Sequence, residues 1–259
     1  MASVAGGSDS YQTASRDIGM FPRLFPSLAF YLRMLGIIRR AGTQAKRGTY
    51  GDREWFSSSL ATMRTLEGVG LQLDITGLQH LESLSTPCVI VGNHMSMLET
   101  FVLPGLVRPF LPVTFVVKDS LLTYPVFGHV MRSRDPVAVT RTSPREDFAT
   151  VMKGGTERLD KGISIIVFPQ TTRTPAFDRK DFNTIGVKLA RRAKVPVVPL
   201  ALITDAWSNG RLHKDLGRID VRRKVRMAFG APLDVEGNGS GTNTAVISFI
   251  EDRMKDWRA

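Results

Sequence analysis

His94 and Glu99 are the residues whose types and spacing most readily do chemistry. They lie in VIVGNHMSMLET, residues 89–100, where an apolar, strand-like run ends in Asn93-His94. The chain holds four histidines, at 80, 94, 129 and 213, so one placed where a buried strand meets a loop and a helix stands out. An imidazole with its ordinary pKa of ~6.5 can be neutral there, face a cleft and accept a proton near pH 7. A carboxylate five residues on is out of phase for one face of a regular helix, where neighbours are three or four apart. A loop-to-helix turn between the two would fold Glu99 back onto the ring, fixing its tautomer and stabilising the imidazolium that forms. The pair reads as a general base with its orienting carboxylate. Taken alone, it also fits a satisfied structural histidine.

The elements around the pair supply the frame. From residue 70 onward, VGLQLDITG, PCVIVGN, VTFVVK, VAVT, ISIIVFP, VPVVPLALIT and VRMAFG read as strands alternating with helical periods. Several are apolar on both faces, as strands covered by helices on each side must be. The fold class is therefore α/β: a single mixed, largely parallel sheet covered by helices. Ser143 and Glu146 form a capping box with Pro144 at the first helical position, and Phe148, Val151, Met152 and Leu159 give that helix a buried stripe. Further helices are expected from about Asn183 to Ala193, and from Thr242 through Val246, Ile250, Met254 and Trp257. There is no internal repeat.

The segment ahead of the sheet differs. Residues 1–20 mix Gly, Ser and Ala without the apolar core of a signal peptide and read as a flexible tail. SLAFYLRMLGII, residues 27–38, has helical spacing but is shorter than the ~20 apolar residues a bilayer crossing needs. Arg33 lies inside it, and Arg39, Arg40, Lys46 and Arg47 follow. Apolar side chains flanked by cations suit an interfacial helix on an acidic membrane surface. A second helix starts near Asp52 as N-cap, with Phe56, Leu60 and Met63 as a stripe, Trp55 and Leu66 beside them, and Gly68 as a stop. Residues 21–68 are thus expected to form a helical membrane-docking hairpin, and residues 69–259 the α/β domain.

Composition narrows the class. Hydrophobic content of 42% with 23% charged is globular, and 35 Lys and Arg against 24 Asp and Glu give a net charge of +11 that favours anionic partners. Nucleic acid is a poor fit. The cationic clusters at 39–47 and 222–224 lack interleaved aromatics, and the first abuts an apolar helix. The single cysteine, Cys88, excludes a disulfide framework and suits a reducing compartment. The expected location is peripheral or monotopic, on the cytoplasmic face of a membrane.

Four segments in order settle the meaning of His94. NHMSMLE at 93–99 resembles the first motif of the glycerophospholipid acyltransferase superfamily, usually His, four residues, Asp. VFGHVMRSRDPVAVTR, ending at Arg141, resembles the second; FPQTTRT at 168–174 resembles the third, usually Phe-Pro-Glu-Gly-Thr-Arg-Ser; VPVVPLAL at 195–202 resembles the fourth. The likeness covers roughly residues 70–230 and is to enzymes that acylate 1-acyl-sn-glycerol 3-phosphate. It implies that His94 removes the proton of an acceptor hydroxyl, which attacks the thioester of acyl-CoA or an acyl-carrier protein, with no metal and no cofactor. It further implies acceptor binding by Arg141, Gln170, Thr171, Thr172 and Arg173, with Lys118 at the end of VTFVVK as a third cation for a phosphate.

Three positions depart from the motifs. Glu99 replaces Asp and keeps the carboxylate. Gln170 replaces Glu, losing the charge but gaining a donor. Thr171 replaces Gly and gives up positive-φ freedom. The third-motif loop is therefore expected to differ in shape or partners. The acceptor could then be another lyso-lipid, or the chain a catalytically degenerate lipid binder.

Overall fold

The computed structural model describes residues 9–170, 172–210 and 214–259. In chain order the elements are β1 (Ser10–Gln12), α1 (Met20–Leu24), α2 (Pro26–Lys46), α3 (Asp52–Gly68), β2 (Leu73–Thr76), α4 (Gln79–Glu82), β3 (Val89–Gly92), α5 (Leu98–Val107) and β4 (Val113–Lys118). There follow α6 (Phe127–Arg132), β5 (Val137–Val139), α7 (Pro144–Asp160), β6 (Ser164–Val167), α8 (Ile185–Ala193), β7 (Val197–Ile203), β8 (Val225–Phe229) and α9 (Ser240–Arg258).

The strands make one sheet in the order β1-β2-β8-β7-β3-β6-β4-β5. β7–β8 and β1–β2 pair antiparallel, and the other neighbours pair parallel. This is the mixed, largely parallel α/β sheet expected. Its central strands β3, β6 and β7 are buried almost throughout because each face meets a helical layer. In β3, Val89 and Val91 pack with the α7, α8 and α9 side chains, whereas Ile90 packs with those of α2, α3 and α5. Period-2 alternation therefore points into two cores at once.

Local signals act as anticipated in α7, where the Ser143 hydroxyl accepts from the Glu146 N–H and Pro144 opens the helix. Other details differ. Phe148, placed in the buried stripe of α7, is exposed and lies under the Lys188 ammonium. Asp52 opens α3 as its first residue rather than its cap; Gly51 is the cap, its N–H donating to Glu54, and the Asp52 carboxylate pairs with Arg108 and Arg134. The buried face of α3 is rotated, so that Trp55, Ser59, Met63 and Leu66 point inward while Phe56 and Leu60 are half-buried.

The tail reading needs correction where the structure describes it, because Ser10–Gln12 forms an edge strand against β2, while residues 1–8 lie outside the described residues. Its anchor is Glu67 of α3, which accepts from Tyr11 at 2.6 Å, Thr13 at 2.8 Å and Arg16 at 2.7 Å.

The interfacial helix is longer than its apolar run. α2 spans 21 residues and carries Arg39, Arg40 and Lys46 within it. It is two-sided: Phe30 and Met34 join the core, while Leu28, Leu32 and Leu35 are exposed, continuing the exposed Met20, Leu24 and Phe25. Among the described residues no helix is long and apolar enough to cross a membrane.

Candidate active site

β3, β6, β4 and β5 are consecutive in the sheet and parallel, so their carboxyl ends lie along one edge. His94 follows β3, the third motif follows β6, Lys118 ends β4 and Arg141 follows β5. A parallel sheet thus gathers at one edge what the sequence scatters over about 80 residues, and that edge is where α/β sheets bind ligands.

The turn between β3 and α5 brings the pair together. His94 Nδ1 lies 2.9 Å from Glu99 Oε1, with the histidine side chain 12% exposed and the glutamate fully buried. The same Oε1 accepts from the N–H groups of Met95 (2.7 Å) and Ser96 (2.9 Å), which curl the backbone around the carboxylate. Oε2 accepts from Thr204 Oγ1 at 2.6 Å and Ser96 Oγ at 3.1 Å. Burial alone would raise the Glu99 pKa, but the hydrogen bond and charge of His94, with the Thr204 and Ser96 donors, outweigh it and hold the carboxyl below its ordinary value. A carboxylate on Nδ1 holds the proton there and leaves Nε2 as the basic nitrogen. Phe168 stacks on the imidazole, centroids 4.4 Å apart and planes 6° apart, which restrains ring tilt.

The ring borders a cavity of about 890 Å³. Its lining includes the apolar side chains of Phe115, Phe101, Met131 and Trp55 with Ile37 and Ala41 of α2. It also includes the charged Lys118, Arg141, Arg173, Lys188 and Lys214, with Asp147 and Asp215. Arg141 has a left-handed backbone, φ 61°, and its N–H donates to Asp147 at 2.8 Å. Burial pulls its guanidinium pKa down, Asp147 pulls it back and Arg173 lowers it further, so the two arginines share one electrostatic neighbourhood. Arg173 Nη2 pairs with Asp215 at 2.6 Å, and its Nη1 is buried with no hydrogen-bond partner among the described residues. Lys118 stands exposed at the rim.

The third motif contributes unevenly. Gln170 is 3% exposed and spends both polar ends inside the protein, accepting from the His94 N–H at 2.8 Å and donating to Thr174 Oγ1 at 3.0 Å. It also lines the cavity beside these internal bonds. Thr172 is exposed, accepts from Lys214 at 2.6 Å and does not line the cavity. Thr171 lies outside the described residues.

Several members were not anticipated. Ser96 had a signal, because Ser-x-x-Glu at 96–99 is a capping-box spacing. Asn93 bridges to β7, its Nδ2 donating to the Leu202 carbonyl at 2.9 Å and its Oδ1 accepting from the Leu202 N–H at 2.8 Å. Asn93 stood inside the first motif with no sign of its partner on β7, and neither Thr204 nor Asp215 carried any local mark.

The acyltransferase family model matches residues 72–203. The 1-acyl-sn-glycerol-3-phosphate acyltransferase of Pseudomonas aeruginosa is 30% identical over 188 residues, covering 73% of this chain and 68% of the relative. A chloroplast enzyme of the same name from Brassica napus is 34% identical over 167 residues, and the match covers 62% of this chain but 46% of that one. The crystal structure of a 1-acyl-sn-glycerophosphate acyltransferase from Thermotoga maritima superposes with a TM-score of 0.69, covering 92% of this chain and 96% of that chain at 19% identity. At that identity the likeness concerns the fold.

Proposed function

The chain belongs to the acyltransferase family and is an O-acyltransferase, and from that premise we propose that it moves a fatty acyl group from acyl-CoA or acyl-carrier protein to the free hydroxyl of 1-acyl-sn-glycerol 3-phosphate, giving phosphatidic acid. The observation that carries the reading is the His94–Glu99 pair beside one cavity whose lining holds both apolar side chains and a set of cations. His94 Nε2 takes the proton of the acceptor hydroxyl as its oxygen attacks the thioester carbonyl. The tetrahedral adduct collapses, the thiolate departs and the imidazolium returns the proton to it, leaving an ester and a thiol. General-base help of this kind is worth about 10²- to 10⁴-fold, and holding two substrates together supplies much of the remainder.

Arg141 and Arg173 are suited to the acceptor's phosphate, and the orphan Nη1 donor of Arg173 is what a phosphate oxygen would satisfy. Asp215 beside Arg173 favours, as a second reading, a lyso-lipid whose headgroup carries a cation or hydroxyl next to the phosphate. We also propose peripheral attachment on the cytoplasmic face of a membrane through α1 and α2. Exposed Phe25 between them and Leu28, Leu32 and Leu35 of α2 suit the acyl boundary, and Arg39 and Arg40 suit anionic headgroups.

The test is a panel of lyso-lipids, lysophosphatidate and lysophosphatidylethanolamine among them, incubated with labelled acyl-CoA or acyl-carrier protein and read by product mass. Diacyl product from lysophosphatidate supports the proposal. Transfer only to a headgroup bearing an amine moves the assignment to the second reading, and silence toward every acceptor defeats both.

A further inference from the structure

The chain between β7 and β8 doubles back on itself, and its two limbs are tied together at their base. Trp207 and Ile219 form an antiparallel bridge, the Ser208 N–H donates to the Arg218 carbonyl at 3.0 Å, and the Asp220 N–H donates to the Ala206 carbonyl at 2.8 Å. Gly217 is enclosed in this fold-back, since a Cβ there would overlap the Ser208 carbonyl oxygen. α2 grips both limbs. The Tyr31 hydroxyl accepts from the Trp207 indole N–H at 3.1 Å and donates to the Gly217 carbonyl at 2.5 Å, and Ser27 Oγ accepts from the Ile219 N–H at 3.0 Å. An indole N–H can only donate and a carbonyl can only accept, so the one phenol proton is committed to Gly217. Two residues before Gly217, Asp215 reaches the cavity, where Oδ1 lies 2.6 Å from Arg173 Nη2 and Oδ2 accepts from the Tyr124 hydroxyl at 3.2 Å. Burial raises the Tyr31 phenol pKa, the Trp207 N–H pulls it back and the charge of Asp215 raises it again, so phenol and carboxylate share one electrostatic neighbourhood.

We infer that Tyr31 is a positioning residue: through Gly217 it seats Asp215 on Arg173 as a latch, so that the cation suited to the acceptor's phosphate is already partly engaged when the acceptor arrives. An incoming phosphate meets a carboxylate beside the guanidinium, and like charges set side by side disfavour one another. A phosphate monoester, carrying about −1.5 to −2 at pH 7, is opposed more than a diester with a single charge. Acceptor affinity and headgroup preference are thus set in part from α2, the helix that also presents Leu28, Leu32 and Leu35 to the exterior.

The inference rests on the acyl-transfer reading, and its test uses the full chain as wild type, Tyr31→Phe, Ser27→Ala and Asp215→Asn, with each of the first two also combined with Asp215→Asn. Asp215→Asn lowers the lysophosphatidate KM about 10-fold, the scale of one hydrogen bond to a charged group. Tyr31→Phe leaves Gly217 and Trp207 without their partner, loosens Asp215 and lowers the same KM about 3-fold, with the donor KM unmoved. Ser27→Ala acts in the same direction, more weakly. Both substitutions lower Tm, yet a merely structural role would raise the acceptor KM or leave it alone. In the Asp215→Asn background neither changes that KM, because the carboxylate they act through is gone. Lysophosphatidylethanolamine, whose ammonium Asp215 can pair, shows no such gain from Asp215→Asn. Calorimetry with short-chain lysophosphatidate and no donor repeats the pattern in Kd, so the pattern in an enzyme silent toward every acceptor defeats the acyl-transfer reading and leaves the latch standing. An acceptor KM that rises or keeps its wild-type value in folded Tyr31→Phe, an equal fall in the Asp215→Asn background, or an equal gain for lysophosphatidylethanolamine overturns the inference.

Discussion

Replacing Glu99 by glutamine isolates the charge of the orienting group from its geometry. Oε1 accepts from three donors, at His94, Met95 and Ser96, so the amide oxygen must take that place and the NH2 must face Thr204 and Ser96. Nδ1 therefore keeps its proton and its partner, and Nε2 keeps its role. What disappears is the attraction between carboxylate and imidazolium across 2.9 Å. A lost charge-assisted hydrogen bond costs about 1.5 kcal/mol at the low end, and two unit charges ~4 Å apart at an effective dielectric of ~20 set an upper value of about 4 kcal/mol. At ~1.36 kcal/mol per decade, kcat should fall by about 10- to 1,000-fold. KM for either substrate should move less than about 3-fold, because the loss falls on the charged transition state. Single-turnover rates with saturating lyso-lipid and labelled donor read this directly. Stability adds a second observable. Glu99 is held below its ordinary value of 4.5, so its contribution to folding is complete above that value and is lost as pH falls through the lower folded pKa. Urea midpoints should drop more between pH 6 and pH 4 in the wild type than in Glu99→Gln. Unchanged kcat in the variant would refute the charge argument, and equal acid sensitivity would refute the account of the carboxyl.

Loss of the base itself should be more severe: His94→Ala is expected to cost about 10²- to 10⁴-fold in kcat in a chain that still folds, with a lowered Tm because buried Glu99 loses its partner, read by product mass and thermal melting. Arg173→Ala should raise the KM for lysophosphatidate about 10-fold or more and leave the donor KM alone, whereas Asp215→Asn should lower that acceptor KM by freeing the guanidinium. Leu28, Leu32 and Leu35, changed together to glutamine, should weaken flotation with anionic vesicles roughly 10- to 100-fold while Tm holds. Removing α2 outright is a poorer test, because Phe30 and Met34 belong to the core. Cys88, whose thiol burial pushes up to about 12, should react with a disulfide reagent at pH 8 only after denaturant is added.

What the sequence alone determined was whatever depends on near neighbours. Short runs rich in β-branched and aliphatic residues, several apolar on both faces, read as strands between two helical layers, and β2 through β8 lie where those runs lie. His94 and Glu99 were legible because one turn joins them, and Ser143 with Glu146 because a cap is local. β1 was not legible, since Ser10–Gln12 is a three-residue polar edge whose stabilisation comes from β2 and Glu67, more than 50 positions away. For the same reason only the tertiary structure could place Thr204 on Glu99 across 105 residues, Phe168 against the imidazole, or Asp215 on Arg173. Gln170 shows the division within one residue. Its identity marked a departure in the sequence, but whether that departure loses a charge or supplies a donor depended on His94 at one end of the amide and Thr174 at the other. A hydrogen bond has a direction set by both partners, and the parallel sheet decides which partners meet.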